Sequence, residues 1–264
     1  MFNPHGNRRY FTNFREVEIE LYTGCNLACA NCDRSSGQAP SHEFMSVDQI
    51  AKFVEESINL EWRWNRITII GGEPTLHPSF FEIVNILSGY RPHSSGAKFW
   101  MYSNGYGARV KKVLSSVPSW IKVLNTNKTR MNPLFSAYNV APIDIEEYKS
   151  ADFSKACCIT EICGLGLTRY GYYPCGAGGS IDRVFGFDIG LKNLEDVAAA
   201  ETLQQLMRLC AHCGHYKDHD SKLKSATSSA DERHDPWVDY QVTSESWKLA
   251  YERFKLAKPE LSLY

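Results

Sequence analysis

The sequence lacks the features that mark membrane, secreted and nucleic-acid-binding proteins. None of its apolar runs approaches the roughly 18–20 residues needed to cross a bilayer, and residues 1–11 lack the apolar stretch of a signal peptide. Its 29 Lys and Arg residues are balanced by 30 Asp and Glu residues, so no basic excess indicates nucleic-acid binding. We therefore expect a cytoplasmic protein with neither a membrane nor a nucleic-acid partner.

Cysteine, in contrast, is abundant, with nine residues in a chain of 264. In a reducing compartment a disulfide framework is not expected, and the odd number excludes complete pairing. Metal binding or redox chemistry explains such a composition better. Three cysteines lie within residues 25–32 and six within residues 157–213, which predicts two separate cysteine sites.

The first half of the chain alternates strand and helix patterns about four times. Strands are predicted over residues 17–22, 66–74, 97–105 and 121–127, and helices over residues 46–62, 77–90 and 106–117. This alternation predicts parallel βα units with right-handed crossovers. In such sheets the chemistry collects at the carboxyl ends of the strands. The first cysteine loop and the turns GGEP, SNG and LNTN all fall there, which indicates a single site.

The pattern changes after about residue 135. Residues 157–180 predict short strands and glycine turns in a hairpin, and residues 194–215 predict a helix that ends at the last cysteine pair. A polar linker follows over residues 221–235, and an amphipathic helix over residues 244–256. The expected domains are a partial α/β barrel over residues 1–155, a small cysteine-rich domain over 156–220, and a linker with a C-terminal helix over 221–264.

The first cysteine group has the spacing Cys-x3-Cys-x2-Cys, formed by Cys25, Cys29 and Cys32. Structural zinc usually has four closed ligands in two separated pairs, and a [4Fe–4S] cluster usually takes four cysteines. Three cysteines would leave one iron with an open position for a small molecule. The spacing therefore favours an iron–sulfur cluster.

The CNLACANC loop, the GGEP turn after the second strand and the SNG turn after the third resemble the radical S-adenosylmethionine (SAM) superfamily over roughly residues 15–130. The resemblance implies that the amino and carboxylate groups of SAM chelate the fourth iron. It also implies that an electron from the reduced cluster cleaves SAM to a 5′-deoxyadenosyl radical, which abstracts a substrate hydrogen. The protein positions these groups and excludes water.

The resemblance further implies that SAM contacts come from the loops after the second, third and fourth strands. The residues concerned are Gly71, Gly72, Glu73 and Pro74 near the methionine amino group, and Ser103, Asn104 and Asn125 near the carboxylate or ribose. An ordinary Gly-Gly turn is the alternative interpretation of the first set. Asn31 departs from the family, which usually has an aromatic residue before the third cysteine. No glycine-rich motif follows on a fifth strand, so we expect an incomplete barrel.

The second cysteine group resembles the twitch domain, a shortened form of the SPASM auxiliary-cluster domain. That resemblance rests on one cysteine, a glycine turn before a second cysteine, and a distant Cys-x2-Cys pair. It implies that Cys163, Cys175, Cys210 and Cys213 ligate a second [4Fe–4S] cluster completely. The Cys-x2-Cys pair alone fits zinc or redox chemistry as well, so structural zinc remains the alternative.

The remaining cysteines, Cys157 and Cys158, are expected to be a buried thiol and a spare thiol. In the alternative interpretation, one of them is a hydrogen-atom donor to a substrate radical or a cluster ligand. His212 and His215, beside the last cysteine pair, are expected to be turn residues rather than metal ligands.

The expected function is therefore radical SAM oxidation, or a related modification, of a small polar metabolite in a biosynthetic pathway. Short family members with a twitch domain include dehydrogenases of the 2-deoxy-scyllo-inosamine type and the GTP cyclases of molybdenum-cofactor synthesis. A fully ligated second cluster suits the dehydrogenase type, in which it accepts an electron. The resemblance also implies an electron donor such as flavodoxin or ferredoxin. The alternatives are a peptide-modifying maturase, an epimerase and a non-catalytic zinc or redox protein. No catalytic residue is assigned from sequence.

Overall fold

The computed structural model describes residues 8–128, 138–216 and 243–264, so the predicted linker over residues 221–235 lies outside the described residues. The strands are β1 (Glu16–Glu20), β2 (Arg66–Ile70), β3 (Lys98–Ser103), β4 (Ile121–Asn125), β5 (Leu165–Thr168) and β6 (Gly171–Tyr173). The α-helices are α1 (Val47–Asn59), α2 (Phe80–Ser88), α3 (Ala108–Leu114), α4 (Cys158–Cys163), α5 (Gly178–Phe185), α6 (Ala199–Leu209) and α7 (Glu245–Leu256).

The six strands form one sheet in the order β4-β3-β2-β1-β5-β6. Every neighbouring pair is parallel except the hairpin of β5 and β6. The helices between the first four strands serve as the crossovers that parallel pairing requires. The α/β class and the partial β/α barrel predicted from the sequence are therefore confirmed.

The two faces of this sheet differ in polarity because side chains alternate along each strand. Val17 and Ile19 of β1 are fully buried in the main hydrophobic core with residues of α1 and α2. The intervening Glu18 lies on the opposite, inner face. Thr68 of β2 is paired with Glu18 and lies on the same face, as does Tyr102 of β3, two strands away. The inner face of the sheet is therefore polar.

The cysteine-rich region differs from the predicted run of short strands and turns. It contains the hairpin, but residues 158–163 form helix α4 and residues 178–185 form helix α5. Thr160 donates its N–H and its hydroxyl to the Cys157 carbonyl, which begins α4. The β-branched residues of this segment favour a strand in isolation, and the burial of Cys158 and Thr160 overrides that preference.

Strand β5 joins the cysteine-rich region to the barrel sheet, since Leu165 pairs with Val17 of β1. Gly164, between α4 and β5, has φ +73, and a Cβ there would lie 2.2 Å from the Glu16 carbonyl oxygen. Only glycine permits both the positive φ and this close approach. The two halves of the chain are thereby placed side by side in one sheet.

Helix α7 packs against the segment that follows the first cysteine loop. Its Trp247 is fully buried, and its Tyr251 hydroxyl lies 3.1 Å from the Ser35 hydroxyl, three residues after Cys32. The predicted helix over residues 244–256 is confirmed within one residue. Within the described parts of the chain, no helix is both long and apolar enough to cross a membrane.

Helix α1 begins with a capping box, and the contribution of this box to the stability of the protein can be tested. The Ser46 hydroxyl accepts the Gln49 N–H at 3.1 Å, and the Gln49 side chain accepts the Ser46 N–H at 2.9 Å. Ser46→Ala should lower the free energy of unfolding by about 1 kcal/mol in urea denaturation. The matched control is Ser79→Ala, because Ser79 occupies the same position of α2 without a side-chain capping bond. Equal losses in the two variants would contradict this account.

Candidate active site

A cavity of about 390 Å³ opens on the inner face of the sheet, and we call it the large cavity. Its lining includes all three cysteines of the first group and four of the residues expected to contact SAM: Cys25, Cys29, Cys32, Gly71, Gly72, Ser103 and Asn104. The loops after β1, β2 and β3 thus meet at one place. Such convergence is what parallel strands produce at their carboxyl ends.

The first cysteine loop presents its sulfur atoms among polar groups. The Cys25 sulfur accepts the Leu27 N–H and the Asn104 side-chain N–H, both at 3.4 Å. Burial raises the pKa of Cys25, and it raises the pKa of Cys32 to about 11. A coordinated metal stabilises thiolates in such surroundings, and hydrogen bonds to sulfur tune an iron–sulfur cluster. The chemistry of these donors fits a cluster.

Asn31, which replaces the usual aromatic residue, is 2 % exposed and has φ +53. Both polar atoms of its amide are buried without a hydrogen-bond partner in the described structure. A buried unpaired amide is costly, so a polar group bound beside the cysteine loop would satisfy it. Asn is among the residues that adopt this left-handed conformation most readily.

The GGEP turn packs directly against the first cysteine loop through its backbone. The N–H groups of Gly72 and Glu73 donate to the carbonyls of Tyr22 and Gly24 at 2.8 and 3.0 Å. A Cβ on Gly71 would lie 2.5 Å from the Tyr22 carbonyl oxygen, and one on Gly72 would lie 2.4 Å from that of Gly24. The two glycines are therefore needed for this close approach of two loops.

Glu73 is fully buried and is absent from the lining of the large cavity. Its carboxylate accepts the Thr75 hydroxyl at 2.6 Å, the Ser103 hydroxyl at 3.0 Å and the Asn104 N–H at 2.8 Å. It therefore ties the loop after β2 to the loop after β3. We infer a positioning role for Glu73 from these bonds, and its place beside the methionine amino group, which the resemblance implies, stays a prediction.

Two other expected SAM contacts also lie outside the lining of the large cavity. Pro74 begins a buried 3₁₀ turn, and the Asn125 side chain accepts the Asn127 N–H at 2.9 Å. Beyond β4, Thr126 and Lys128 line the cavity instead.

The sequence analysis missed several lining residues, namely Glu18, Asp33, Arg34, Tyr102, Thr126 and Lys128. A signal for Glu18 was available in the β1 sequence, EVEIE, where acidic and apolar residues alternate. Alternation with period 2 indicates a strand whose acidic face points away from the apolar core.

The second cysteine group surrounds a narrower cavity, which we call the small cavity. Its lining includes Cys157, Cys175, Cys210 and Cys213, whereas Cys163 lines the large cavity. Cys157 immediately precedes α4 and Cys163 ends it, so the helix separates the two thiols. Cys158 does not line either cavity and packs with Tyr10, Tyr148 and Tyr216 in an apolar cluster that also includes Cys210. Cys157 thus lines the small cavity with three other cysteines, whereas Cys163 lines the large cavity and is near enough to Cys175 for that thiol to add to the rise that burial causes in its pKa.

The pKa values of the four thiols of the small cavity are all shifted in the same direction. Burial is the largest effect on each, and it raises their pKa values, that of Cys175 to about 11. The Gly178 N–H donates to the Cys175 carbonyl at 3.1 Å, and the nearby backbone N–H groups of Ala177 and Gly178 partly offset the effect of burial on the pKa of Cys175. Within residues 8–128, 138–216 and 243–264, no three such side chains are close enough to share a single metal ion. The donor set, four buried thiols with backbone N–H groups, fits an iron–sulfur cluster.

The two cavities are adjacent. Ile159, Ala177 and His215 line both of them. His212, in contrast, packs against Phe185 with ring centroids 4.3 Å apart, and burial lowers its pKa to about 4. His212 is therefore a packed neutral residue, while His215 lies between the two cavities.

Arg34 bridges the two halves of the site. It is buried and donates to the Glu18 carboxylate at 2.8 Å and to the Gly176 carbonyl, next to Cys175. Arg183 of α5 donates in turn to the Arg34 carbonyl at 2.9 Å. The segment after Cys32 is therefore bonded both to β1 and to the loop that carries Cys175.

Comparison with known proteins gives a family match for the first half of the chain. Residues 19–132 match the model of the Radical SAM superfamily. A probable GTP 3′,8-cyclase of Methanococcus maripaludis is 33 % identical over 79 residues, which cover 30 % of this chain and 26 % of that protein. Mycofactocin maturase MftC of Mycobacterium tuberculosis is 36 % identical over 80 residues, covering 30 % of this chain and 19 % of the maturase. The chain thus spans about a quarter or less of the length of these relatives.

Two solved structures resemble the fold. BtrN in complex with AdoMet and 2-DOIA has a TM-score of 0.46 at 14 % identity, covering 81 % of this chain and 91 % of BtrN. Streptococcus suis SuiB bound to S-adenosylmethionine has a TM-score of 0.31 at 18 % identity, covering 46 % of this chain and 26 % of SuiB.

The hydrogen bonds that the Glu73 carboxylate accepts predict an effect of this residue on SAM binding. Glu73→Gln replaces one carboxylate oxygen by an NH₂ group, which cannot accept from the donors of residue 75 or residue 104 at that position and should loosen two loops of the large cavity. We expect SAM affinity, measured by equilibrium dialysis of the reconstituted protein, to fall about tenfold, or about 1.4 kcal/mol. Glu82→Gln, at an exposed position of α2, is the matched control. Unchanged affinity in the Glu73 variant would contradict the positioning role.

Proposed function

We propose that this chain, whose residues 19–132 match the model of the Radical SAM superfamily, oxidises a small polar metabolite by radical dehydrogenation. The observation that supports this proposal is the adjacency of two cysteine-lined cavities, which share Ile159, Ala177 and His215. One cavity is lined by the first cysteine group and by residues expected to contact SAM. The other is lined by four thiols and would take a second redox centre.

In the large cavity, Cys25, Cys29 and Cys32 would hold the radical SAM cluster. The backbone at Gly71 and Gly72 would border SAM, because no side chain separates it from the cavity. Asn104 would donate a hydrogen bond to the Cys25 sulfur, as it does in the described structure. When bound, the cluster and SAM supply a 5′-deoxyadenosyl radical for hydrogen abstraction.

In the small cavity, we propose Cys157, Cys175, Cys210 and Cys213 as the ligands of a second [4Fe–4S] cluster. This set replaces Cys163 of the sequence-based set with Cys157, because Cys157 lines the small cavity and Cys163 does not. Four cysteines complete the coordination of a four-iron cluster, so such a cluster would supply electron transfer rather than a substrate-binding iron. Structural zinc is the alternative occupant.

The lining of the large cavity supports a small polar substrate. Its charged side chains are those of Glu18, Asp33, Arg34 and Lys128, which include charges of both signs. A volume of about 390 Å³ lies within the range of small-molecule sites. Oxidation of a hydroxyl-bearing carbon removes a hydrogen atom, a proton and an electron, and it leaves a carbonyl. A flavodoxin- or ferredoxin-like donor would supply the first reducing electron.

The direct test is an anaerobic assay of the reconstituted protein with SAM, dithionite and a panel of cyclitols, aminocyclitols and aminosugars. We expect 5′-deoxyadenosine, together with a product two mass units lighter that is trapped by a carbonyl reagent. The Cys25/Cys29/Cys32→Ala variant should form neither. An absence of 5′-deoxyadenosine from the reduced wild-type protein would contradict radical chemistry altogether. Formation of 5′-deoxyadenosine with a product of unchanged mass would contradict dehydrogenation alone.

The ligand set of the small cavity is tested by iron and acid-labile sulfide per chain after reconstitution. Two four-iron clusters predict about eight irons in the wild type and about four in the Cys25/Cys29/Cys32→Ala variant. Cys157→Ala should lose most of the second cluster, while Cys163→Ala and the control Cys158→Ala should keep about eight irons. Loss of iron in Cys163→Ala but not in Cys157→Ala would contradict the assignment. Bound zinc with about four irons would favour the zinc alternative.

A further inference from the structure

Glu18 and Arg34 form a buried ion pair in the wall of the large cavity. The Arg34 Nη2 atom lies 2.8 Å from Glu18 Oε2, and the side chains of Arg34 and Glu18 are 5 % and 9 % exposed. Both residues line the large cavity. Charges shielded from water act on their surroundings more strongly than exposed charges do, because the effective dielectric constant around them is lower.

The backbone of the second cysteine group lies directly against this ion pair. A Cβ on Gly176, the residue after Cys175, would lie 1.9 Å from Glu18 Oε2 and 3.1 Å from Arg34 Nη2. Gly166 pairs with Glu18 in the sheet, and a Cβ there would lie 2.4 Å from the Cys175 carbonyl oxygen. The missing side chains of the two glycines permit this approach. The loop that carries Cys175 therefore contacts both members of the pair.

A hydrogen bond also connects the Arg34 guanidinium to this loop. Arg34 donates to the Gly176 carbonyl, and the N–H of the same peptide group belongs to Ala177. That N–H is one of the backbone groups that offset the effect of burial on the pKa of Cys175. Hydrogen bonds in series polarise one another. The positive charge of Arg34 should therefore strengthen the partial positive charge on the Ala177 N–H.

The two charges of the pair act in opposite directions on Cys175. Burial raises the pKa of its thiol to about 11, Glu18 acts in the same direction, and Arg34 opposes both. An iron–sulfur cluster gains one negative charge when it is reduced, so nearby charges and hydrogen bonds set its potential. A positive charge stabilises the reduced form, and a negative charge stabilises the oxidised form.

We propose that the Glu18–Arg34 pair sets the reduction potential of the second cluster, with Arg34 raising the potential and Glu18 lowering it. Both side chains also line the large cavity. A charged group of a substrate bound beside Glu18 would thus change the potential of the centre that accepts the electron of that substrate. The inference rests on the proposed [4Fe–4S] cluster of the small cavity and adds the residues that tune it.

The test is a redox titration of the second cluster, followed by electron paramagnetic resonance. It is run on the reconstituted protein and repeated in the Cys25/Cys29/Cys32→Ala background, in which the second cluster is the only one expected. The iron content of every sample is recorded. The variants are Arg34→Gln, Arg34→Lys, Glu18→Gln and the double variant Arg34→Gln/Glu18→Gln.

We expect Arg34→Gln to lower the midpoint potential and Glu18→Gln to raise it. Each shift should correspond to at least a tenfold change in the reduction equilibrium, or about 59 mV for one electron. Arg34→Lys keeps the positive charge and should shift the potential less than Arg34→Gln does. The double variant removes both charges, so its potential should lie between those of the two single variants.

Arg66→Gln is the matched control. Arg66 forms an ion pair with Glu16, which precedes Glu18 by two residues on the same face of β1. Within the described residues, Arg66 lines neither of the two cavities. We expect this variant to keep the wild-type potential. A shift as large as that of Arg34→Gln would mean that the loss of any ion pair of this sheet has the same effect, which would overturn the inference.

The sign of the shifts separates an electrostatic effect from a general loss of structure. Shifts of the same sign in Arg34→Gln and Glu18→Gln, or no shift in either, would overturn the role of the pair and leave the second cluster standing. If Arg34→Gln does not take up iron, Glu18→Gln decides, because a lowered or unchanged potential there contradicts the inference. Zinc in place of the second cluster in the wild type would overturn both the cluster and the inference.

Discussion

The buried guanidinium of Arg34 connects the parts of the structure on which the site depends. It ion-pairs with Glu18 on β1 at 2.8 Å and donates to the carbonyl of Gly176, beside Cys175. Burial alone would lower its pKa, but Asp33, Glu18 and Glu20 more than offset that effect and raise it. Removing one partner of a buried pair leaves an uncompensated charge, which is strongly destabilising. The position of the first cysteine loop therefore depends on the second half of the chain.

This coupling explains why two cysteine groups separated by more than a hundred residues lie around adjacent cavities. Strand β5 pairs with β1, and three residues line both cavities. The inner face of the sheet supplies polar groups between them, because alternation turns Glu18 and Tyr102 away from the apolar core. Glu18 and Tyr102 therefore line the large cavity together with the first cysteine group.

Local patterns predicted much of the fold and of the first cavity. Apolar periodicity located α1, α2, α3, α6, α7 and the first four parallel strands, but not α5, and the spacing of Cys25, Cys29 and Cys32 predicted one convergent site. Helix α4 was missed because tertiary burial, rather than local preference, selects it. The position of that helix also determines which thiol lines the small cavity. The spacing of the cysteines in the sequence alone therefore could not distinguish Cys157 from Cys163. The bracing role of Glu73 depends on hydrogen bonds across two loops, which a motif does not reveal.

We propose two iron–sulfur sites beside one SAM cavity, of which only one meets SAM. Electron paramagnetic resonance of the fully reduced, reconstituted protein, recorded with and without SAM, tests it most directly. The account predicts two overlapping signals, of which SAM changes only the one that is missing in the Cys25/Cys29/Cys32→Ala variant. A single signal, or a spectrum in which SAM alters neither component, would contradict it.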